Sequence, residues 1–179
     1  WKAMPKSLRT AERHLVHRRK AAGRSFILAL LVSATPSAAG TAFSVEHQGA
    51  EFDVYRLDPG EEQRLRFFWK REDGSAYGGI SALRRDLAAK GEELSFAVNG
   101  GIYAKTLEPL GLYVEEGETL AKLSRGRGGG NFFLKPNGVF YVTEDGARVV
   151  ETFRFKPDAQ VRNGVQSGPM LVIDGELHP

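Results

Sequence analysis

Three short stretches of the chain hold residue types suited to gripping an anion or a sugar. The first, LSRGRGGGN at 123–131, sets Arg125 and Arg127 among Gly126, Gly128, Gly129 and Gly130. Glycines leave backbone N–H groups free to line an anion-binding concavity, and guanidinium groups make bidentate contacts with phosphate oxygens. The stretch lacks the Gly-Lys-Ser/Thr of a Walker loop and the G-x-G-x-x-G spacing of a dinucleotide turn. A flexible loop between hairpins and an Arg/Gly-type RNA tether are its competing readings. The second stretch, SFAVNGGIYA at 95–104, runs an apolar segment into Asn99, Gly100 and Gly101. Asn-Gly between apolar runs signals a tight hairpin turn. The second glycine exceeds what a two-residue turn requires and leaves backbone N–H groups where a ligand could approach. The third, VQSGPMLV at 165–172, puts Gln166 and Ser167 ahead of Gly168-Pro169 at the mouth of a buried strand. There an amide and a hydroxyl either orient a sugar or phosphate oxygen or satisfy the local backbone of a Gly-Pro loop. Gln-Ser-Gly-Pro is not a nucleophile elbow, so Ser167 does not read as a hydrolase nucleophile.

Other chemistries have less support. The chain contains no cysteine, which excludes disulfides, thiolate metal sites and a cysteine nucleophile together. Of the four histidines, His14 and His17 lie near the N-terminus, and His47 and His178 are isolated from each other with no zinc motif around them. Glu108, Glu115, Glu116, Glu151 and Asp174 fall near the glycine-rich segments. Glycoside hydrolysis needs two carboxylates at a set separation, which spacing along the chain does not measure. No cofactor motif is evident, and a divalent cation held by carboxylates and backbone carbonyls stays open.

The elements that must position these stretches belong to one domain behind a leader. With 179 residues and 41% hydrophobic content, the chain can bury one substantial core. Eight of the 25 basic residues but one of the 22 acidic residues precede Gly40, leaving 17 against 21 and a net charge of −4 for the remainder. An acidic body argues against a general nucleic-acid-binding role. The basic segment, the apolar run from Phe26 to Ala34 and the Ser/Ala/Gly cluster after Pro36 have the three parts of a secretory signal peptide, with cleavage near Ala39 or Ala42. Nine apolar residues are too few to span a bilayer as a helix. The expected division is thus a leader at 1–39 and a domain at 40–179, exported to the periplasm or secreted. Absence of cysteine suits a bacterial envelope better than a disulfide-dense extracellular scaffold.

Within the body, EFDVYRL and RLRFFWK, joined by Asp58-Pro59-Gly60, predict a first pair of strands. ISALRRDLAAKG places Ile80, Leu83 and Leu87 on one helical face and stops at a glycine cap, delivering the chain into a strand from Leu94 to Val98. Hairpins are expected to turn near Glu116-Gly117, at Pro136-Asn137-Gly138 and at Asp174-Gly175, with a polar, helix-compatible stretch over 146–160 and a strand over 170–173. Many strands and few helices in mixed order indicate an α+β fold with a mixed, largely antiparallel sheet. The short return after Gly175 leaves a bare edge, the pattern expected of a domain incomplete at its C-terminus.

Taken in order, FAVNGGIY, EPLGLYVEEGE, GRGGGNFFLKPNGVFYV and VQSGPMLVIDGELHP resemble the phosphodiester glycosidase family, in its bacterial exported branch. The resemblance covers roughly 80–179 and implies an α+β hydrolase that releases a sugar from a sugar-1-phosphodiester. It also implies a pocket formed by Asn99, Gly100 and Gly101, with Tyr103 as a sugar platform, and by Arg125, Arg127, Asn131, Gln166, Ser167, Gly168 and Pro169 from neighbouring loops. The expected partner is a glycan phosphodiester or similar small molecule, with no nucleic acid and with the membrane involved only during export. A non-catalytic envelope module that binds a glycan or anionic polymer through the same loops is the alternative. Catalytic residues, stereochemistry and oligomeric state are not fixed by the sequence.

Overall fold

A computed structural model describes residues 14–18, 28–33, 40–157 and 160–178. In chain order its strands are β1 (His14–Arg18), β2 (Leu28–Ser33), β3 (Thr41–His47), β4 (Ala50–Arg56) and β5 (Leu65–Phe68), followed by α1 (Ile80–Ala89) and β6 (Glu93–Val98). Then come β7 (Tyr113–Glu115), β8 (Glu118–Ala121), β9 (Gly138–Thr143), β10 (Gly146–Glu151), β11 (Asn163–Ser167), β12 (Val172–Ile173) and β13 (Glu176–Leu177). Every paired strand among the described residues is antiparallel. With α1 as the single α-helix among the described residues, the architecture is α+β and mostly antiparallel sheet. The expected leader lies outside the described residues except for β1, which pairs with β4, and β2, which lies between β5 and β6.

The largest sheet has the order β10-β9-β11-β7-β8, with β11 in the centre. Strand alternation sends its side chains to two different cores. On one face Val165, Tyr113 and the half-buried Phe140 pack against Phe67 of β5, and Val142 and Ala147 pack with Tyr55, Leu57 and Leu65. On the other, Leu112, Val114 and Val139 cluster with Phe155 and Val161. Asn163, with no exposure, ties the sheets together: its Nδ2 donates to the Leu65 carbonyl at 3.0 Å, and its Oδ1 accepts from the Glu116 N–H at 3.1 Å.

A ten-residue helix is marginal in isolation, so α1 depends on packing. Leu83 and Leu87 are fully buried with Tyr77 and pack against Phe68, Leu94 and Ala97, whereas Ile80, expected on the same face, is exposed. The helix ends as expected: Gly91 has φ 76°, and the Glu92 N–H reaches back to the Leu87 carbonyl at 2.9 Å.

Several local expectations are corrected. β4 and β5 do not pair, because Glu61–Arg64 form a tight turn after Gly60 (Glu61 N–H to Asp58 carbonyl, 3.0 Å) that redirects β5 into another sheet. Asn137-Gly138 is not a hairpin turn. Asn137 is buried, with its Nδ2 donating to the Phe132 carbonyl at 3.0 Å, and Gly138 begins β9. The stretch from 146 onward opens as β10 and not as a helix, and its exposed Arg148 and Val149 reflect its place at the sheet edge. Residues 170–173 contribute only the two-residue β12, while Asp174 and Gly175 (φ 52° and 83°) do form the turn into β13. The turn between β7 and β8 is likewise as expected, at Glu116 and Gly117 with φ 49° and 87°.

Candidate functional site at the exit of the central strand

The C-terminal end of β11 is the point at which the separate stretches meet. Val165, Gln166 and Ser167 pair with Phe140, Val139 and Gly138 of β9, after which the chain leaves through Gly168-Pro169. Four approaches of other segments to this strip fix the geometry.

The Asn99-Gly100-Gly101 segment comes first. β6 ends at Val98, and no hairpin forms there; the chain instead runs into a small loop closed by the Tyr103–Pro109 bridge and by an Ala104 N–H to Glu108 carbonyl bond of 2.8 Å. A Cβ at Gly101 would lie 2.5 Å from Val165 Cγ2 and 3.3 Å from the Gln166 carbonyl oxygen. The second glycine therefore exists so that this backbone can lie directly against β11. Tyr103 packs against the same cluster as Val165. Asn99 is exposed, and Gly100, Gly101 and Tyr103 are half-buried.

The loop returns to β11 on the other side. The Leu110 N–H bonds the Ile102 carbonyl, and a Cβ at Gly111 would fall 2.2 Å from Gln166 Oε1 and 2.6 Å from Phe132 Cζ. The chain thus passes from the face of Val165 to the face of Gln166 within ten residues.

The arginine loop approaches from the Gln166 face. Ser124, just ahead of Arg125, is bonded through both its N–H and its carbonyl to the Gln166 amide. Residues 125–131 are exposed, and among the described residues neither Arg125 nor Arg127 is paired with a carboxylate. Farther along, a Cβ at Gly128 would lie 2.7 Å from the Phe133 ring, so the loop is seated on that aromatic.

The Asn131–Phe133 turn completes the set. Gly168 lies against it, since a Cβ there would come within 2.7 Å of Asn137 Cβ, 3.0 Å of the Phe132 carbonyl and 3.3 Å of the Asn131 carbonyl. The Met170 N–H then bonds the Pro136 carbonyl at 2.8 Å.

Of the residues singled out in the sequence, Gly101, Asn131, Gln166 and Gly168 meet around this strand exit, from two faces, and the others are carried by the segments next to them. Gly100, Gly101 and Tyr103 approach on the Val165 side, which alternation also gives to Ser167. Arg125, Arg127 and Asn131 belong to the Gln166 side, and Gly168-Pro169 lies where the strand runs out between them. Gln166 has a particular place. At 1% exposure its Oε1 accepts from the Leu112 and Ser124 N–H groups (3.1 and 2.9 Å), and its Nε2 donates to the Ser124 carbonyl and Thr152 Oγ1 (2.7 and 3.1 Å). Both lone pairs and both protons are used inside the fold.

The acids distribute unevenly. Glu151 pairs with Gly138, which pairs with Ser167, so this carboxylate shares a cross-strand row with the exit. Glu108 lies on the Tyr103 loop and accepts from Thr106 Oγ1 at 3.0 Å. Glu115 is at the opposite end of β7, where burial raises its pKa above the usual carboxylate range and the Tyr113 hydroxyl, 3.0 Å away, opposes that shift. Glu116 and Asp174 occupy turns. Among the described residues, no three His, Cys, Asp or Glu side chains cluster as metal ligands would. Sequence reasoning missed Thr152, Phe132 and Gly111; only Gly111, an isolated glycine before an apolar strand, carried a signal of close backbone approach.

Comparison with known proteins adds to this geometry. Residues 92–179 match the phosphodiester glycosidase family. The uncharacterized protein YigE of Escherichia coli K12 is 39% identical over 126 residues, which make up 70% of this chain and 49% of that protein. The chain thus spans about half the length of that curated relative. No solved structure matches. The matched region includes every one of the four approaches to the β11 exit.

Proposed function

With residues 92–179 belonging to the phosphodiester glycosidase family, we propose that the protein hydrolyses a sugar-1-phosphodiester and that its substrate is held at the β11 exit. The observation that carries this reading is the pair of guanidinium groups with no carboxylate partner among the described residues, on a glycine loop tied to the central strand. Water replaces the phosphodiester oxygen at the anomeric carbon, and a phosphomonoester departs with the bonding electrons. Negative charge on that leaving group grows as the bond breaks. Donors aimed at the developing charge lower the barrier more than donors that merely bind the ground state. Arg125, Arg127 and the N–H groups of Gly126 and Gly128–Gly130 are such donors, while Tyr103 and Asn99 present a stacking face and an amide for the sugar.

The same reading places the protein in the bacterial envelope, exported by the basic and apolar leader. Loss of 1–39 on cleavage would remove β1 and β2 but none of the segments that form the exit, all of which follow Val98. N-terminal sequencing of protein recovered from periplasm tests this, and a mature terminus before Phe26 would refute it.

For the activity, released sugar is measured with a panel of sugar-1-phosphodiesters and protein of natural length. Replacing both arginines by glutamine removes charged hydrogen bonds of about 1.5–3 kcal/mol each, so kcat/KM should fall at least about tenfold. Unchanged kinetics in the double variant would remove the anion role from this loop. Binding without turnover, insensitive to Asn99→Ala, would establish a binding module instead.

A further inference from the structure

We propose that Gln166 acts as a positioning residue, a latch that holds the Arg125–Gly130 loop over the β11 exit. Its effect on catalysis rests on the reading above; its effect on the loop does not. Four hydrogen bonds radiate from one buried amide to three segments: Leu112 at the end of the Tyr103 loop, both backbone groups of Ser124, and Thr152 beyond β10. Ser124 is 42 residues away in sequence and directly precedes the first arginine. A two-point grip on one residue's N–H and carbonyl fixes position and direction together, as a neighbouring strand would, although no strand is present there.

Beyond Ser124 the loop is exposed, and Gly128 rests against the Phe133 ring. Phe133 neighbours Phe132, which packs under Gly111 beside the same Gln166 amide. Both ends of the arginine segment are thereby referred to one side chain on the central strand. A cation fixed before ligand arrives loses less freedom on binding than one on a wandering loop. The amide orientation is not interchangeable, because a flipped group would aim its protons at two backbone N–H groups.

Gln166→Glu tests the latch, since it keeps both acceptor bonds and the shape but loses the donors to the Ser124 carbonyl and Thr152. Limited trypsin digestion reports the loop directly through cleavage after Arg125 and Arg127. The expected result is cleavage at these two sites about tenfold faster than wild type, with other sites unchanged, in keeping with the loss of one or two hydrogen bonds. Thr152→Val, which leaves the Ser124 grip intact, should change it by less than about twofold. Equal acceleration at every site, or none at Arg125 and Arg127, overturns the proposal. Should Gln166→Glu fail to fold, amide exchange on the wild type decides: the Ser124 N–H should exchange far more slowly than those of Gly126 and Gly129, and equal rates refute the latch. Where wild type turns over substrate, Gln166→Glu should lower kcat/KM, and an unchanged kcat/KM overturns the latch while leaving the hydrolase reading intact. Absence of turnover in wild type would instead overturn that reading while the proteolysis and exchange results still judge the latch.

Discussion

Replacing Gly101 by alanine asks whether the close contact between the Asn99 segment and the central strand is real. The added Cβ would lie 2.5 Å from Val165 Cγ2, well inside van der Waals contact, and 3.3 Å from the Gln166 carbonyl. Gly101 does not have a left-handed φ, so backbone strain contributes nothing and the cost is steric. Val165 is 5% exposed and hemmed in by Phe67 and Tyr113, which leaves it little room to yield. Overpacking of this kind costs about 1–3 kcal/mol. In a chain of this length that lowers the unfolding temperature by about 2–12 °C, at 2–4 °C per kcal/mol. Gly129→Ala is the control, since a Cβ there meets nothing within 4 Å and φ is again not left-handed. Calorimetry or urea denaturation gives the free energies, and the decisive measurement is the double variant with Val165→Ala, which removes the clashing methyl. The two changes should be non-additive by about 1 kcal/mol or more, in the direction of rescue. Additive effects, or a Gly101→Ala protein as stable as wild type, would show that these segments do not touch, and the convergence at the β11 exit would lose its first support.

Other outcomes follow from the same packing. Asn163→Ala leaves the buried Leu65 carbonyl and the half-buried Glu116 N–H without their partner, and at about 1–3 kcal/mol for the buried unsatisfied group the loss should be at least about 1–3 kcal/mol by urea denaturation. Tyr77 supplies a pH signature: burial, then its bond to Asp86 at 2.7 Å, pushes its pKa up to about 12. The unfolded chain gives up this proton near pH 10 while the folded one keeps it, so the contribution to stability is complete below pH 10 and is lost as pH rises toward 12. Tyr77→Phe should flatten that decline in unfolding free energy measured between pH 9 and 12, and an unaltered slope would contradict the assignment.

What the sequence made legible was short-range. The turns at Glu116-Gly117 and Asp174-Gly175 and the stop at Gly91 each depend on a glycine within a residue or two, and each stands where expected. Leu83 and Leu87 announced their face by spacing alone. Ambiguity began where the same local signal serves two purposes. Asn137-Gly138 and Asn99-Gly100 both resemble hairpin turns, yet one asparagine is buried on the Phe132 carbonyl and the other follows β6 into a segment whose Gly101 lies against β11. The pairing of β5 was not readable because its partner, β2, lies far back along the chain. Of the site, the glycine and arginine stretches were visible as chemistry, but the role of Gln166 was not: the same amide reads as a ligand group or as an internal clasp until its neighbours are known. A side chain with every donor and acceptor engaged belongs to the second kind.

The position of β11 has a consequence for how the molecule is made. The strand at the middle of the five-stranded sheet is synthesised after both hairpins that flank it, β7–β8 and β9–β10. Until it arrives, those hairpins have no common neighbour, and the Asn163 clasp to Leu65 must close across 98 residues of chain. Such long-range closure slows assembly. The two hairpins can each form on their own, but the sheet that joins them waits for β11.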